Sequence, residues 1–192
     1  MSLRVLVVDD RPDRAAMVER ALAADGYTPV GRIASGSGLR ERVAELAPDV
    51  VIVDTDLPDR DTLEHMQAMN ADNPRPVVMF AEKDTGDTIR AALQAGVSAY
   101  VVDGLRPERI KSVIEVAVER FREYRELADE LDRTRNQLAA RKDIDRAKGL
   151  LMDKRGLSED AAYRTLRKRA MDRGKPMAEV ARDLLAMADL LD

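Results

Sequence analysis

Two groups of residues in this chain have side chains that could do chemistry. The first is acidic. Asp9 closes the apolar run at residues 3–9 with Asp10 directly after it, and Asp54 closes a second run, DVVIVD at 49–54. If those runs are adjacent parallel strands, three carboxylates meet in one crevice at their carboxyl ends. Like charges there repel, a cation relieves them, and hard oxygen ligands suit Mg2+. Such a site can hold a metal that neutralises a transferring phosphoryl group while one carboxylate attacks it. The plainer alternative is that these acids cap strand ends on a solvated rim. The second group is basic and lies towards the carboxyl end. Residues 141–175 hold 12 Lys/Arg against 6 Asp/Glu. There Tyr163, Arg167 and Ala170 recur at helical spacing, with Arg164 and Lys168 beside them. An aromatic ring among cations can stack an unpaired base while the charges hold the nucleic-acid backbone. Lys148, beside Gly149, extends that surface. The alternatives are a half-buried ring at Tyr163 and basic side chains that merely solvate a helix. Ala162, Leu166 and Met171 are better explained as core.

Composition narrows the chemistry further. The 192 residues carry a net charge of −4, split as −7 over residues 1–140 and +3 over 141–192, an acidic front and a basic tail. There is no cysteine, so disulfides, thiolate zinc sites and a Cys nucleophile are excluded. One histidine, His65, leaves no multi-His metal site and makes a Ser-His-Asp triad unlikely material. Aromatics are 3% with no Trp, which speaks against a sugar-binding or aromatic-cage protein. No apolar run reaches the ~18 residues of a membrane span and no signal segment opens the chain, so a soluble cytoplasmic protein is expected, with no membrane partner.

The elements that must position these groups follow from the apolar pattern. Continuous apolar runs at 3–9, 26–33, 49–54, 76–81 and 98–103 alternate with helical stretches at 12–24, 37–46, 57–69 and 85–96. Runs covered on both faces mark a parallel sheet, so residues 1–106 are expected to form a doubly wound α/β domain with strand order 2-1-3-4-5. From Pro107 the texture changes, and no glycine occurs between 105 and 148. Residues 107–140 are expected as a helix of ~30 residues, about 45 Å long. Ala117, Phe121, Tyr124, Ala128, Leu131, Arg135 and Leu138 alternate at steps of four and three, close to a heptad seam. Phe121, Tyr124, Leu131 and Leu138 would pair two chains as a parallel dimer, unless the helix folds back on its own chain. Residues 141–192 are expected as a small all-α domain of three helices. The first covers 142–154, the second is capped by Ser158 and stops at Gly174, and the third follows Pro176 with Val180, Leu184, Leu185 and Leu190. Ile144, Leu151, Ala162, Leu166, Ala170, Val180 and Leu184 would close its core.

VLVVDD, VIVDTDLP and QAGVSAYVV, in this order and spacing, resemble the flavodoxin-like receiver domain of bacterial two-component response regulators over residues 1–106. The resemblance implies Asp54 as phospho-acceptor, Asp10 as a direct Mg2+ ligand with Asp9 beside it, and the Asp56 carbonyl as a third contact. It implies Tyr100 as the aromatic switch position. Two positions depart from the pattern: Ala81 stands where a hydroxyl residue is expected, and Asp103 where a lysine is expected. Neither supplies a donor to a phosphoryl group, and a carboxylate repels one. Lys83 and Arg60 are the cations that could substitute. Residues 141–185, with Ala147, Lys148, Gly149, Met152, Gly156, Ser158, Ala162, Tyr163, Leu166, Arg167, Ala170 and Met171 as landmarks, resemble the ANTAR module, an RNA-binding antiterminator domain. Together with DTDLPDRDTLEHM and VSAYVVDGL, the order of parts resembles the nitrate-assimilation antiterminators of the NasT type. That implies a non-enzymatic regulator that binds leader RNA hairpins, with a sensor protein or histidine kinase as partner. The competing reading from the residues alone is a DNA-binding factor using 158–174 as the reading helix of a helix-turn-helix. A third is a protein-interaction adaptor.

Overall fold

The computed structural model describes residues 2–83 and 85–189. It divides into two compact units, Met1–Arg125 and Glu126–Asp192. The first unit alternates strand and helix in the order β1 (Arg4–Val8), α1 (Pro12–Ala24), β2 (Thr28–Ile33), α2 (Leu39–Leu46), β3 (Val50–Thr55), α3 (Arg60–Asp72), β4 (Val77–Ala81), α4 (Gly86–Gln94) and β5 (Ala99–Val102). The strands form one parallel sheet in the order β2-β1-β3-β4-β5, as the sequence predicts.

Period-two alternation distributes each strand between two cores. Val5, Val7, Val50, Ile52, Val78 and Phe80 face one layer, where Ala15, Val18 and Leu22 of α1 cover them. Ile110, Ile114 and Ala117, from the start of α5 (Pro107–Arg155), complete that layer. Leu6, Val8, Val51, Val53, Val77 and Met79 face the other, under Leu39 and Val43 of α2, Met66 and Met69 of α3, and Ala92 of α4. Both faces are therefore dry, which is why the runs read as continuous apolar text rather than alternating text.

The helix starts have local causes. Pro12 occupies the first turn of α1, where its missing N–H costs nothing. Asp59 and Thr85 cap α3 and α4 by accepting from the backbone N–H of Thr62 and Thr88. β5 ends in two consecutive left-handed residues, Asp103 (φ 74°) and Gly104 (φ 72°), a turn that aspartate tolerates better than most side chains.

α5 corrects the expected division at Arg141. It runs unbroken for 49 residues, so the 107–140 helix and the 142–154 helix are one element. Nothing between 105 and 148 can stop a helix, and the single interior glycine, Gly149, costs only about 1 kcal/mol. Ala117, taken from sequence as the first seam position, is buried in the sheet's core instead.

In the second unit, α6 (Glu159–Arg173) and α7 (Met177–Asp189) follow α5. Ser158 caps α6 by accepting from Ala161 N–H, and Gly174 ends it in a left-handed turn (φ 61°). Ala147 and Leu151 of α5, Ala162 and Leu166 of α6 and Ala181 of α7 form the buried core, with Ile144, Leu157, Leu184 and Leu185 against it. Ala170 and Val180 are buried too, so Ala162 and Leu166 are core as expected, whereas Met171 is exposed. Leu190 lies outside the described residues.

Candidate functional site

The acid pocket is set by strand register. Val8 of β1 pairs with Val53 of β3, so the next residue of each strand, Asp9 and Asp54, emerges side by side. Both are buried, at 2% and 3% exposure, and they are the only buried charged residues among those described. Asp9 Oδ1 accepts from the Arg11 backbone N–H at 2.9 Å, while its Oδ2 is buried with no hydrogen-bond partner. Asp10 points to solvent, and so does Asp56, whose backbone carbonyl accepts from Lys83 N–H at 3.0 Å.

Sequence reasoning missed two arginines that lie among these acids. Arg14, in the first turn of α1, lays its guanidinium across both Asp54 oxygens, Nε against Oδ2 and Nη2 donating to Oδ1. Its Nη1 donates to Glu82 Oε1 at 2.8 Å. Arg11 bridges Asp56 at 3.1 Å and Glu82 at 3.2 Å. The signal was present in the sequence: arginines three apart, directly after the acidic pair, share one face of a helix that starts at the strand end. Of the cations considered from sequence, Arg60 pairs with Glu64 on its own helix, and Lys83 is exposed.

The electrostatics follow from burial. Desolvation first, and then the Asp9 carboxylate, push the Asp54 carboxyl up to about 7 against the pull of Arg11, with Glu82 and Asp56 adding to the rise. Asp9 is raised as well, by burial, opposed by its hydrogen bond from Arg11. The Arg14 hydrogen bond to Oδ1 and its charge beside Oδ2 favour the ionised form, while Oδ2 itself has no hydrogen-bond partner and burial keeps the carboxyl raised.

The switch positions fall at the rim of this pocket. Ala81 is buried at the end of β4 opposite Thr55, with no hydroxyl to offer. Asp103 has an exposed side chain, and Tyr100 is half-buried against the core on the α2–α3–α4 side of the sheet. Receiver domains bind Mg2+ at this position in the fold. Here the orphaned Asp9 oxygen suits a cation, but the donor set as a whole does not fit one. No three acidic or histidine side chains among the described residues gather closely enough to hold a metal, Asp10 faces away, and guanidiniums engage Asp54 and Asp56.

The tail presents a different surface. Ala162, Leu166 and Ala170 point α6 into its core, which turns Tyr163, Arg164, Arg167, Lys168 and Arg169 outward. Tyr163 is 40% exposed, so its ring is neither core nor fully free. Arg164 pairs with Asp160 at 3.1 Å on the same helix. Arg167, Lys168 and Arg169 have no ion-pair partner among the described residues. Lys148 is placed differently from that group: it pairs with Asp145 on its own helix (2.8 Å), joins α5 to α6 through Glu159 (2.9 Å), and has a side chain only 17% exposed. Arg169 is the member that the sequence pattern did not single out.

On α5, Phe121 is half-buried, whereas Tyr124, Leu131 and Leu138 are exposed. Leu127, 66% exposed, belongs with them. The phase 124, 127, 131, 134, 138 replaces Ala128 and Arg135 with Leu127 and Thr134, a better apolar stripe than the one expected.

Comparison with known proteins matches this geometry. The response regulator receiver domain matches residues 5–115 and the ANTAR domain residues 132–185. The transcriptional regulatory protein PdtaR of Mycobacterium tuberculosis (strain H37Rv) is 32% identical over 182 residues, covering 95% of this chain and 89% of that protein. The DNA-binding response regulator MtrA of Mycolicibacterium smegmatis is 32% identical over 121 residues, 62% of this chain and 52% of its own length. Among solved structures, the signal receiver domain of a modulated diguanylate cyclase from Desulfovibrio desulfuricans G20 superposes with a TM-score of 0.56 at 19% identity, over 65% of this chain and 99% of that one, a likeness of fold. No helix among the described residues is long and apolar enough to cross a membrane. The chain belongs to the response regulators that join a receiver domain to an ANTAR output domain, a family of non-enzymatic transcription regulators.

Proposed function

We propose that this protein is a cytoplasmic transcription antiterminator that binds hairpins in nascent leader RNA through α6. The observation that carries this is the outward face of that helix. Among the described residues, Arg167, Lys168 and Arg169 stand without ion-pair partners, on the same helix as the partly exposed ring of Tyr163. Cations held by neighbouring carboxylates have little left to offer a phosphate, whereas these three are free to displace counterions from RNA. The ring supplies a stacking surface for a loop base, worth about 1–3 kcal/mol. Arg164 and Lys148 would join after exchanging their carboxylate partners for phosphates.

Two copies pair along the α5 stripe of Tyr124, Leu127, Leu131 and Leu138. A homodimer presents two such faces, so a leader carrying two hairpins gains avidity through effective concentration. A bound hairpin excludes an intrinsic terminator, and polymerase reads through. The receiver takes its signal from a histidine kinase or another sensor protein, with Asp54 as phospho-acceptor. A receiver implies Mg2+ as cofactor; Asp9, Asp10 and Asp54 would hold it only after Arg14 leaves Asp54 and Asp10 turns inward. The NasT-type resemblance makes nitrate-assimilation operons the first targets to examine.

The test is crosslinking of the protein to cellular RNA and sequencing of what is bound. Enrichment of leader segments that fold into paired stem-loops upstream of terminators supports antitermination. Recovery of promoter DNA instead, in a parallel chromatin capture, would support the helix-turn-helix alternative. Enrichment of neither would leave the tail as a protein-interaction module.

A further inference from the structure

The pocket holds a cation of its own. Arg14 contacts both Asp54 oxygens and anchors its remaining nitrogen on Glu82 at 2.8 Å. Arg11 braces the same Glu82 at 3.2 Å and ties Asp56 in from the other side at 3.1 Å. The placement follows from the chain. Pro12 starts α1 directly after the acidic pair, and side chains in a first helical turn lean back towards the helix N-terminus, here over the ends of β1 and β3. The surroundings leave room for the guanidinium. A Cβ at Gly104 would stand 3.5 Å from Arg14 Nη2, in ordinary contact, and the residue before it, Asp103, turns outward instead of delivering a cation. Ala81 brings no donor either. The Asp54 side chain is completely shielded from solvent, and Arg14, at 16% exposure, is part of what covers it.

We propose that Arg14 is the built-in counter-ion of the receiver pocket, occupying the Asp54 carboxylate in place of a divalent cation, so that a metal reaches Asp54 only when Arg14 has withdrawn. Arg14 is thus a positioning residue, and the state of its contact with Asp54 sets whether the pocket is open. Arg14 donates one hydrogen bond to Asp54 Oδ1 and makes an ion-pair contact with Oδ2, which has no hydrogen-bond partner of its own.

The experiment is isothermal titration of Mg2+ into the full-length protein and its R14Q, R14K, D54N and R14Q/D54N variants. R14Q keeps much of the side-chain volume and removes the charge. It is expected to bind Mg2+ at least tenfold more tightly than the wild-type chain, and the gain should vanish in R14Q/D54N. R14K keeps a charge but loses the fork, and a gain of about threefold is expected from it; circular dichroism checks that each variant is folded. If R14Q fails to fold, R14K against wild type decides the matter. Equal Mg2+ affinity in wild type and in the folded Arg14 variants, whether tight or undetectable, overturns the proposal. So does a gain that persists without Asp54.

Discussion

Replacing Arg14 by glutamine removes the one guanidinium that touches Asp54 while keeping a side chain of similar reach. The cost depends on pH, and its sign can be worked out. With Arg14 in place, burial and the Asp9 carboxylate hold the Asp54 carboxyl at about 7, against an ordinary value of 3.8 in the unfolded chain. Between those values the folded protein keeps a proton that the unfolded chain has released. Stability attached to a raised carboxyl is complete below 3.8 and is lost as pH rises through about 7. Arg14 stabilises the ionised carboxylate, so its removal raises the Asp54 carboxyl further, and the electrostatic cost shows only at pH values where wild-type Asp54 ionises. The part of the wild-type advantage over R14Q that belongs to this ionisation should therefore be near zero around pH 4 and grow above about pH 7, at up to about 1.4 kcal/mol per pH unit. Asp56 and Arg11 face the same pocket and are common to both proteins, whereas Glu82 loses its Arg14 partner in R14Q and keeps only Arg11. Urea unfolding at fixed ionic strength measures the difference. The near-ultraviolet signal of the partly buried Tyr27 and Tyr100 follows the receiver apart from the tail. A difference that is flat with pH, or that shrinks as pH rises, refutes the reasoning. In an R14Q/D54N background the pH dependence should disappear.

Other consequences are simpler to state. Alanine at both Arg167 and Lys168 should weaken RNA binding and lower the slope of log affinity against log salt by about 1.5, as two lost phosphate contacts require; an unchanged slope places those cations off the RNA. Y163A should weaken hairpin binding by about 1–3 kcal/mol at every salt concentration, leaving the slope intact. L166A, fully buried in the tail core, should destabilise that unit by about 2–5 kcal/mol, seen as an earlier tail transition in thermal unfolding while the receiver transition stays put. Glutamate at both Leu127 and Leu131 should shift sedimenting species from dimer to monomer without loss of helix content; a monomeric wild-type protein would remove the stripe from the assembly.

The receiver was readable because its strands are buried on both faces and its helices are punctuated by Pro12, Asp59, Thr85 and the glycines between them. Asp54 and Asp9 were readable for the same reason: an acid at the end of an apolar run has few places to go. The arginines were not, because a charged residue in a first helical turn looks like solvated surface until the helix start is fixed relative to the strand end. In the tail, the caps Ser158 and Gly174 and the core positions Ala162 and Leu166 followed from spacing alone. Whether Lys148 faces solvent or Glu159 depends on how α5 meets α6, and no local pattern carries that. The continuity of α5 was written in the missing glycines and prolines; the shift from seam to basic text at Arg141 is a change of surface chemistry, not of backbone. Leu127 escaped the seam because Ala117 set its phase, and Ala117 packs into the core under the sheet.

The central claim is that the free cations of α6, with Tyr163, distinguish folded RNA from other polyanions. Its most direct test is a fluorescence anisotropy titration of the full-length protein. The ligands are a labelled leader stem-loop, the same RNA with its loop closed into duplex, and a DNA duplex of equal length, all at one near-physiological salt concentration. Binding to the stem-loop at least tenfold tighter than to either duplex is the predicted result. Equal affinity for all three, in every activation state of the receiver, would contradict it.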